Sequence, residues 1–139
     1  MEWFTFLAKE EVLGLDAQYV YRVVDDAKIT PVPLTPECHL GLTYYRGELF
    51  TVIDMVNMLG YGRANSERNT PIVLVKWSDK KLALVSNEIV GLLWIEDEVC
   101  SLSTYSIGDY TVRLISPEYI WNTLLKLSNG PDKIPKDLH

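Results

Sequence analysis

Short apolar runs, cut at close intervals by turn-forming residues, constrain this chain more than any other feature. Trp3 to Leu7 is aromatic and β-branched, the composition of a strand, and Lys9-Glu10-Glu11 after it is a polar turn. Val12 to Leu15 is apolar. Ala17 to Val24 carries Val20, Val23 and Val24 and reads as a strand, although its spacing also fits a helical turn. Asp25-Asp26 marks a turn. The prolines of Ile29-Thr30-Pro31-Val32-Pro33 cannot donate to a central ladder, so this stretch belongs on an edge or a connection. Leu40 to Tyr45 and Glu48 to Ile53 form a hairpin around Arg46-Gly47. Asp54 then caps a short helix from Met55 to Leu59, and Gly60 stops it.

Tyr61 to Asn69 is polar and reads as a linker, after which the pattern restarts. Ile72 to Val75 is uniformly apolar, as in a strand buried on both faces. Ser78-Asp79-Lys80 turns the chain into Lys81 to Val85. Ile89 to Ile95 is a further apolar strand, ended by Glu96-Asp97-Glu98, and Tyr110 to Ile115 alternates as a last one. Val99 to Asp109 has no clear pattern. Ser116-Pro117-Glu118 is a helix start: a capping hydroxyl, a proline in the first turn, and an acid near the positive end of the dipole. Ile120, Leu124 and Leu127 share one face of that helix.

Many short strands and one amphipathic helix argue for an all-β barrel or sandwich. The restart near residue 70 divides it into a first barrel at about 12–69, with strands from 1–11 packing across, and a second at about 70–115. The helix at 116–127 and a loose tail at 128–139 complete the chain.

Composition narrows the function. At 139 residues the chain buries roughly 70% of its unfolded surface, enough to fold without a metal or disulfide. Hydrophobic residues at 47% and charged residues at 23% fit a folded soluble domain rather than a disordered one. A net charge of −6 repels phosphates, which counts against nucleic acid and anionic membranes as partners. The first residues lack the basic start and apolar core of a secretory signal, and no apolar stretch is long enough to cross a membrane. The chain therefore reads as cytoplasmic, with Cys38 and Cys100 reduced.

Residues that could run chemistry are scarce. Cys38-His39 is a lone adjacent pair, which does not make a zinc site, and neighbours along a strand point to opposite faces and would not meet as thiol and base. No nucleophile elbow, phosphate-cradling loop or dinucleotide fingerprint occurs. Asp25-Asp26 and Glu96-Asp97-Glu98 read as solvated turns rather than paired catalytic acids. Trp3, Trp77, Trp94 and Trp121 are expected mostly in cores, any exposed one being an interface candidate. The expectation is a docking module without catalytic residues, metal or cofactor. A small-ligand sensor using a pocket between the barrels, and a generic peptide or nucleic-acid binder, are the rivals.

The run from Gly41 to Met55, Gly-Leu-Thr-Tyr-Tyr-Arg-Gly-Glu-Leu-Phe-Thr-Val-Ile-Asp-Met, resembles the signature of CheW-like domains. Thr30-Pro31-Val32-Pro33 with Pro36, the opening Phe6-Leu7, Gly14-Leu15-Asp16, Val20 and Val23, and the later Leu84 to Ile89 are similar to that family in order. The resemblance spans roughly residues 4 to 127. It implies two packed SH3-like, five-stranded β-barrels with a short helix between them and a C-terminal helix. It also implies a non-enzymatic adaptor coupling the cytoplasmic tip of a methyl-accepting chemoreceptor to the regulatory domain of a CheA-type histidine kinase. Val20, Arg22, Val23 and Arg46 fall at positions it links to receptor docking. No kinase-binding residue is assigned. The chain departs from the pattern at Tyr44 (usually Asn), Thr51 (usually Pro), Arg22 (usually an acid) and Ser86-Asn87 (usually Val-Asp), and is shorter between Glu96 and Ile115. Those departures leave room for a member that binds a single partner.

Overall fold

A computed structural model describes residues 1–64, 71–96 and 103–128. Eleven strands form two sheets in the described residues. In chain order they are β1 (Glu2–Ala8), β2 (Glu11–Asp16), β3 (Val20–Val24), β4 (Ile29–Thr30), β5 (His39–Tyr45), β6 (Glu48–Asp54), β7 (Ile72–Trp77), β8 (Lys80–Val85), β9 (Glu88–Trp94), β10 (Thr104–Ile107) and β11 (Tyr110–Ile115). Helix α1 (Met55–Met58) follows β6, and α2 (Pro117–Ser128) follows β11. One sheet runs β10-β11-β2-β1-β9 and the other β3-β7-β8-β6-β5-β4.

The architecture is the expected mostly-β pair with a C-terminal helix, but the sheets divide the chain differently from the expected break near residue 70. β7 and β8 join β3 to β6, so the six-stranded sheet takes residues 20–85. The N-terminal β1 and β2 pair with β9 and β11 instead of lying across the first unit. Two parallel pairings, β6 with β8 and β11 with β2, close this arrangement. The pattern break at the linker is local, whereas the division is made by strands distant in sequence. β4, only two residues long, is the sixth strand and sits on an edge, where its following prolines are tolerated.

Alternation along the strands supplies three cores. In β7, Ile72 and Leu74 face the interior of the six-stranded sheet with Phe50, Val52 and Ala83, while Val73 and Val75 face the other way. This is why that run is apolar throughout. Trp3, Ile95, Val112 and Leu114 fill the five-stranded sheet. Between the sheets lies the largest core, with Phe4, Phe6, Leu13, Leu15, Ile53, Val73, Val75, Leu82 and Leu84, closed by Ile120 and Leu124 of α2.

Local capping follows the sequence. Asp54 is buried and accepts from the Val56 and Asn57 amides at 3.0 and 3.2 Å, and its other oxygen accepts from the Ala64 amide at 3.0 Å. Gly60 leaves α1 at φ 86°. The Tyr119 amide donates to Ser116 Oγ at 3.0 Å to start α2. Ala17 to Val24 splits: Asp16 caps a 3₁₀ turn over Ala17–Tyr19, and β3 follows. The linker from residue 65, Glu96-Asp97-Glu98 beyond Glu96, Val99 to Leu102 with Cys100, and the tail after Ser128 lie outside the described residues.

Candidate functional site

The hairpin at Arg46-Gly47 has both turn residues in the left-handed region, Arg46 at φ 48° and Gly47 at φ 84°. That is the geometry of a two-residue turn matched to strand twist, and it favours Asn-Gly over Arg-Gly. Arginine there carries a conformational cost of about 1–2 kcal/mol. Its guanidinium lies 5.3 Å from the centroid of the Tyr45 ring. Tyr45 meets Tyr21 edge-on at 6.3 Å, and Tyr21 stacks on Phe50 at 6.3 Å. Lys76 Nζ sits 3.9 Å over Tyr21 and bonds Glu48 at 2.8 Å, which Lys81 also approaches at 3.4 Å. The hydrogen bond from Lys76 holds the Glu48 carboxyl below its ordinary range, with Lys81 adding to it. Tyr44 and Leu49, directly paired across the hairpin, point outward and are 65% and 52% exposed. Beside them a cavity of about 280 Å³ opens between Val24, Ala27, Tyr44, Tyr45 and Leu74.

The four expected contact residues do not form one surface. β3 carries a bulge at Tyr21, so Val20 pairs with Val75 and Val23 with Val73. Paired residues share a face. Val20 and Val23 therefore look toward the core between the sheets, Val20 half-buried against it and Val23 41% exposed. Arg22 pairs with Leu74, which lines that cavity, and takes the opposite face. The bulge separates Val20 and Val23 from Arg22.

A second exposed surface was not expected. Ile89 to Ile95 reads as an apolar strand, and in β9 every second residue is exposed. Val90, Leu92 and Trp94 are 49%, 63% and 63% exposed; Leu92 and Trp94 share one face, and Val90 lies beside them at a bulge. Leu92 pairs with Phe4, a residue of the core between the sheets, so the row continues that core outward. Glu2 is paired with Trp94 and shares its face, whereas Glu88, paired with Leu7 beyond a register shift in β9, takes the other face. Of the tryptophans, Trp3 is buried, Trp77 and Trp121 are half-buried, and Trp94 is the exposed one. An unbroken apolar run hides such a row, because its exposed face is as apolar as its buried one.

A cavity of about 480 Å³ lies where the β1–β2 turn, Tyr61 and β11 meet. Three of its lining side chains are engaged with one another: Tyr61 donates to Glu11 at 3.0 Å, and Arg113 donates to Glu11 at 3.2 Å and to the Tyr119 hydroxyl at 3.1 Å. The carboxylate that accepts its proton pushes the Tyr61 phenol above its ordinary range. The network ties the five-stranded sheet to α2 and to the segment after α1. Cys38 packs in the core between the sheets, and His39 Nε2 lies 3.1 Å from the Gly41 carbonyl, so the two do not act as thiol and base. Among the described residues no three acidic, His or Cys side chains gather around a possible metal position. No helix there is long and apolar enough to cross a membrane.

Two interlocked sheets with exposed apolar surfaces and charged rims define a protein-docking scaffold of the two-barrel β class. The chain belongs to the CheW-like domain family, whose sequence pattern matches residues 2–122. It is 29% identical over 91 residues to protein FrzA of Myxococcus xanthus, a match covering 66% of this chain and 57% of that one. It is 23% identical over 105 residues to the chemotaxis protein CheW of Thermotoga maritima, covering 76% and 69%. The chain thus spans less than two thirds of FrzA. The crystal structure of the scaffolding protein TtCheW from Thermoanaerobacter tengcongensis shares the fold, with a TM-score of 0.69 and 24% identity over 82% of this chain and 86% of that one.

Proposed function

We propose that this chain is a non-enzymatic, cytoplasmic adaptor that couples a chemoreceptor tip to a CheA-type histidine kinase in chemotaxis or motility signalling. The observation that carries this reading is the presence of two separate exposed apolar surfaces on one scaffold. The row Val90-Leu92-Trp94, with Val23 and the half-buried Val20 at the rim of the same core, suits the apolar face of a receptor-tip helix. The hairpin end, with Tyr44, Leu49, Arg22 and Arg46, suits the kinase regulatory domain. Holding both partners at once raises the effective concentration of each for the other. Receptor state then shifts the kinase between conformations by contacting one more favourably.

The test is a pair of titrations with purified receptor-tip fragment and kinase regulatory domain. Trp94→Ala is expected to weaken receptor-tip binding about tenfold or more, the loss of a central aromatic anchor, and to leave kinase binding intact. Arg46→Glu is expected to do the reverse. If both variants keep wild-type affinity for both partners, this assignment of surfaces is wrong.

A further inference from the structure

The cavity of about 480 Å³ beside the β1–β2 turn carries charged groups that neither the fold nor the docking surfaces use. Its wall holds two cations, Lys9 and Arg113, and two acids, Glu10 and Glu11. Thr104, Thr111 and Tyr61 add hydroxyls, and Val12 adds an aliphatic side chain. Glu11, Arg113 and Tyr61 are bonded to one another. Among the described residues, neither the Lys9 ammonium nor the Glu10 carboxylate has a hydrogen bond or ion pair. Lys9 and Glu10 are also the two residues of the turn, and of the two only Lys9 has a positive φ, 61°. A turn of that pattern favours glycine at its first position. The Lys9 amide donates to Asn87 Oδ1 at 2.5 Å, which pins the turn. A lysine kept in glycine's place sets a cation at the cavity rim, with backbone strain of the kind that gathers at ligand sites.

We infer that this cavity binds a small zwitterion of the amino-acid type, its carboxylate held by Lys9 and Arg113 and its ammonium by Glu10 and Glu11. Two charges of each sign give the wall no net charge. A simple anion there meets two acids along with its two cations, and a simple cation meets the reverse, so neither gains much. A ligand that carries both charges pairs each of them. An apolar ligand would cover four charged groups and leave them unpaired, which is costly. The volume falls inside the range of about 300–1,000 Å³ for small-molecule sites and suits a free amino acid or a dipeptide. Glu11 holds the Tyr61 phenol above its ordinary range, so Tyr61 contributes a hydroxyl and not a third acid.

Lys9, Glu10, Thr104 and Thr111 are exposed, so their charges and hydroxyls stay partly hydrated. Binding is therefore weak, of the high-micromolar to millimolar class, and falls as salt screens the charges. Tyr61 comes from the segment after α1, whereas Glu11, Thr111 and Arg113 belong to the five-stranded sheet. A bound zwitterion bridges the two and raises the melting temperature by mass action. Within that sheet β1 stands between β2 and β9, which separates the cavity from the exposed Leu92 and Trp94. The site does not depend on the adaptor reading or on either partner.

The experiment titrates the purified chain with each of the common L-amino acids and with glycylglycine, followed by calorimetry and amide NMR. Acetate and ethylammonium, each carrying one of the two charges, are the controls. At least one zwitterion is expected to bind saturably, with amide shifts concentrated at residues 9–12, 61, 104 and 111–113, while neither control binds at the same concentrations. Lys9→Gly and Glu10→Gln are each expected to weaken that zwitterion about tenfold or more. Lys9→Gly also relieves the turn, so its melting temperature should not fall, and its lost binding is then not lost folding. Failure of every zwitterion to bind overturns the inference. So does acetate or ethylammonium binding as tightly, a shift pattern centred elsewhere, or a Lys9→Gly or Glu10→Gln variant that binds like wild type. Receptor and kinase titrations report separately, so failure here is distinguishable from failure of the adaptor role.

Discussion

Replacing Arg46 with Asn separates a structural role for this arginine from a docking role. Arg46 holds φ 48° in a two-residue turn, and its guanidinium lies over Tyr45. The left-handed backbone costs a non-glycine residue about 1–2 kcal/mol, and Asn is among the residues that tolerate it best. The exposed cation–π contact returns about 0.5–1 kcal/mol. Arg46→Asn relieves most of the first and loses the second, for a net gain of about 0.5 kcal/mol. That corresponds to a melting temperature about 2 °C higher for a chain of this size. Urea unfolding monitored by tryptophan fluorescence reads it as a raised midpoint at unchanged slope. The same variant is expected to bind the kinase regulatory domain about tenfold or more weakly, as a truncated interface arginine does. Strain retained at the cost of stability marks a functional position. A lowered midpoint with unchanged binding would refute the reasoning and leave Arg46 as a residue that merely orders its hairpin.

Other outcomes follow from buried and crowded positions. Ser86 is buried and its hydroxyl has no hydrogen-bond partner among the described residues. Ser86→Ala therefore removes an uncompensated desolvation cost and should stabilise the fold by about 1 kcal/mol, read from chemical denaturation. A methyl group at Gly41 would run into the Thr30 carbonyl and the Pro31 backbone, at φ 141°. Gly41→Ala is expected to cost about 3 kcal/mol or more and to loosen the β4–β5 pairing in hydrogen exchange. Glu48 titrates below its ordinary 4.5, first through Lys76. A depressed carboxylate stabilises the fold above its unfolded pKa, and that contribution is lost as pH falls through the folded value. Glu48→Gln should flatten the acid side of the stability profile below pH 4.5 and leave the neutral region almost level.

Local chemistry was legible in the sequence wherever one residue type answers one backbone need. Asp54, Gly60 and Ser116 cap or stop helices where expected, and Arg46-Gly47 turns the hairpin. The uniformly apolar Ile72 to Val75 is buried on both faces. Sheet membership was not legible, because it rests on parallel pairings between segments far apart, which no local pattern encodes. Nor was the bulge at Tyr21, where one inserted residue sends Arg22 to the face opposite Val20 and Val23. The β9 row escaped for a different reason. Apolar residues on both faces of a strand signal double burial only when nothing is meant to dock there, and a docking face has the same composition as a core.

The central claim is that one chain holds two partners at once through separate surfaces. The most direct measurement titrates receptor-tip fragment into a preformed complex of this protein with the kinase regulatory domain, followed by sedimentation. The expected result is a ternary complex in which the receptor tip binds the preformed complex about as tightly as it binds the protein alone. Displacement of the kinase domain by the receptor tip, or binding of neither partner by folded protein, would contradict it.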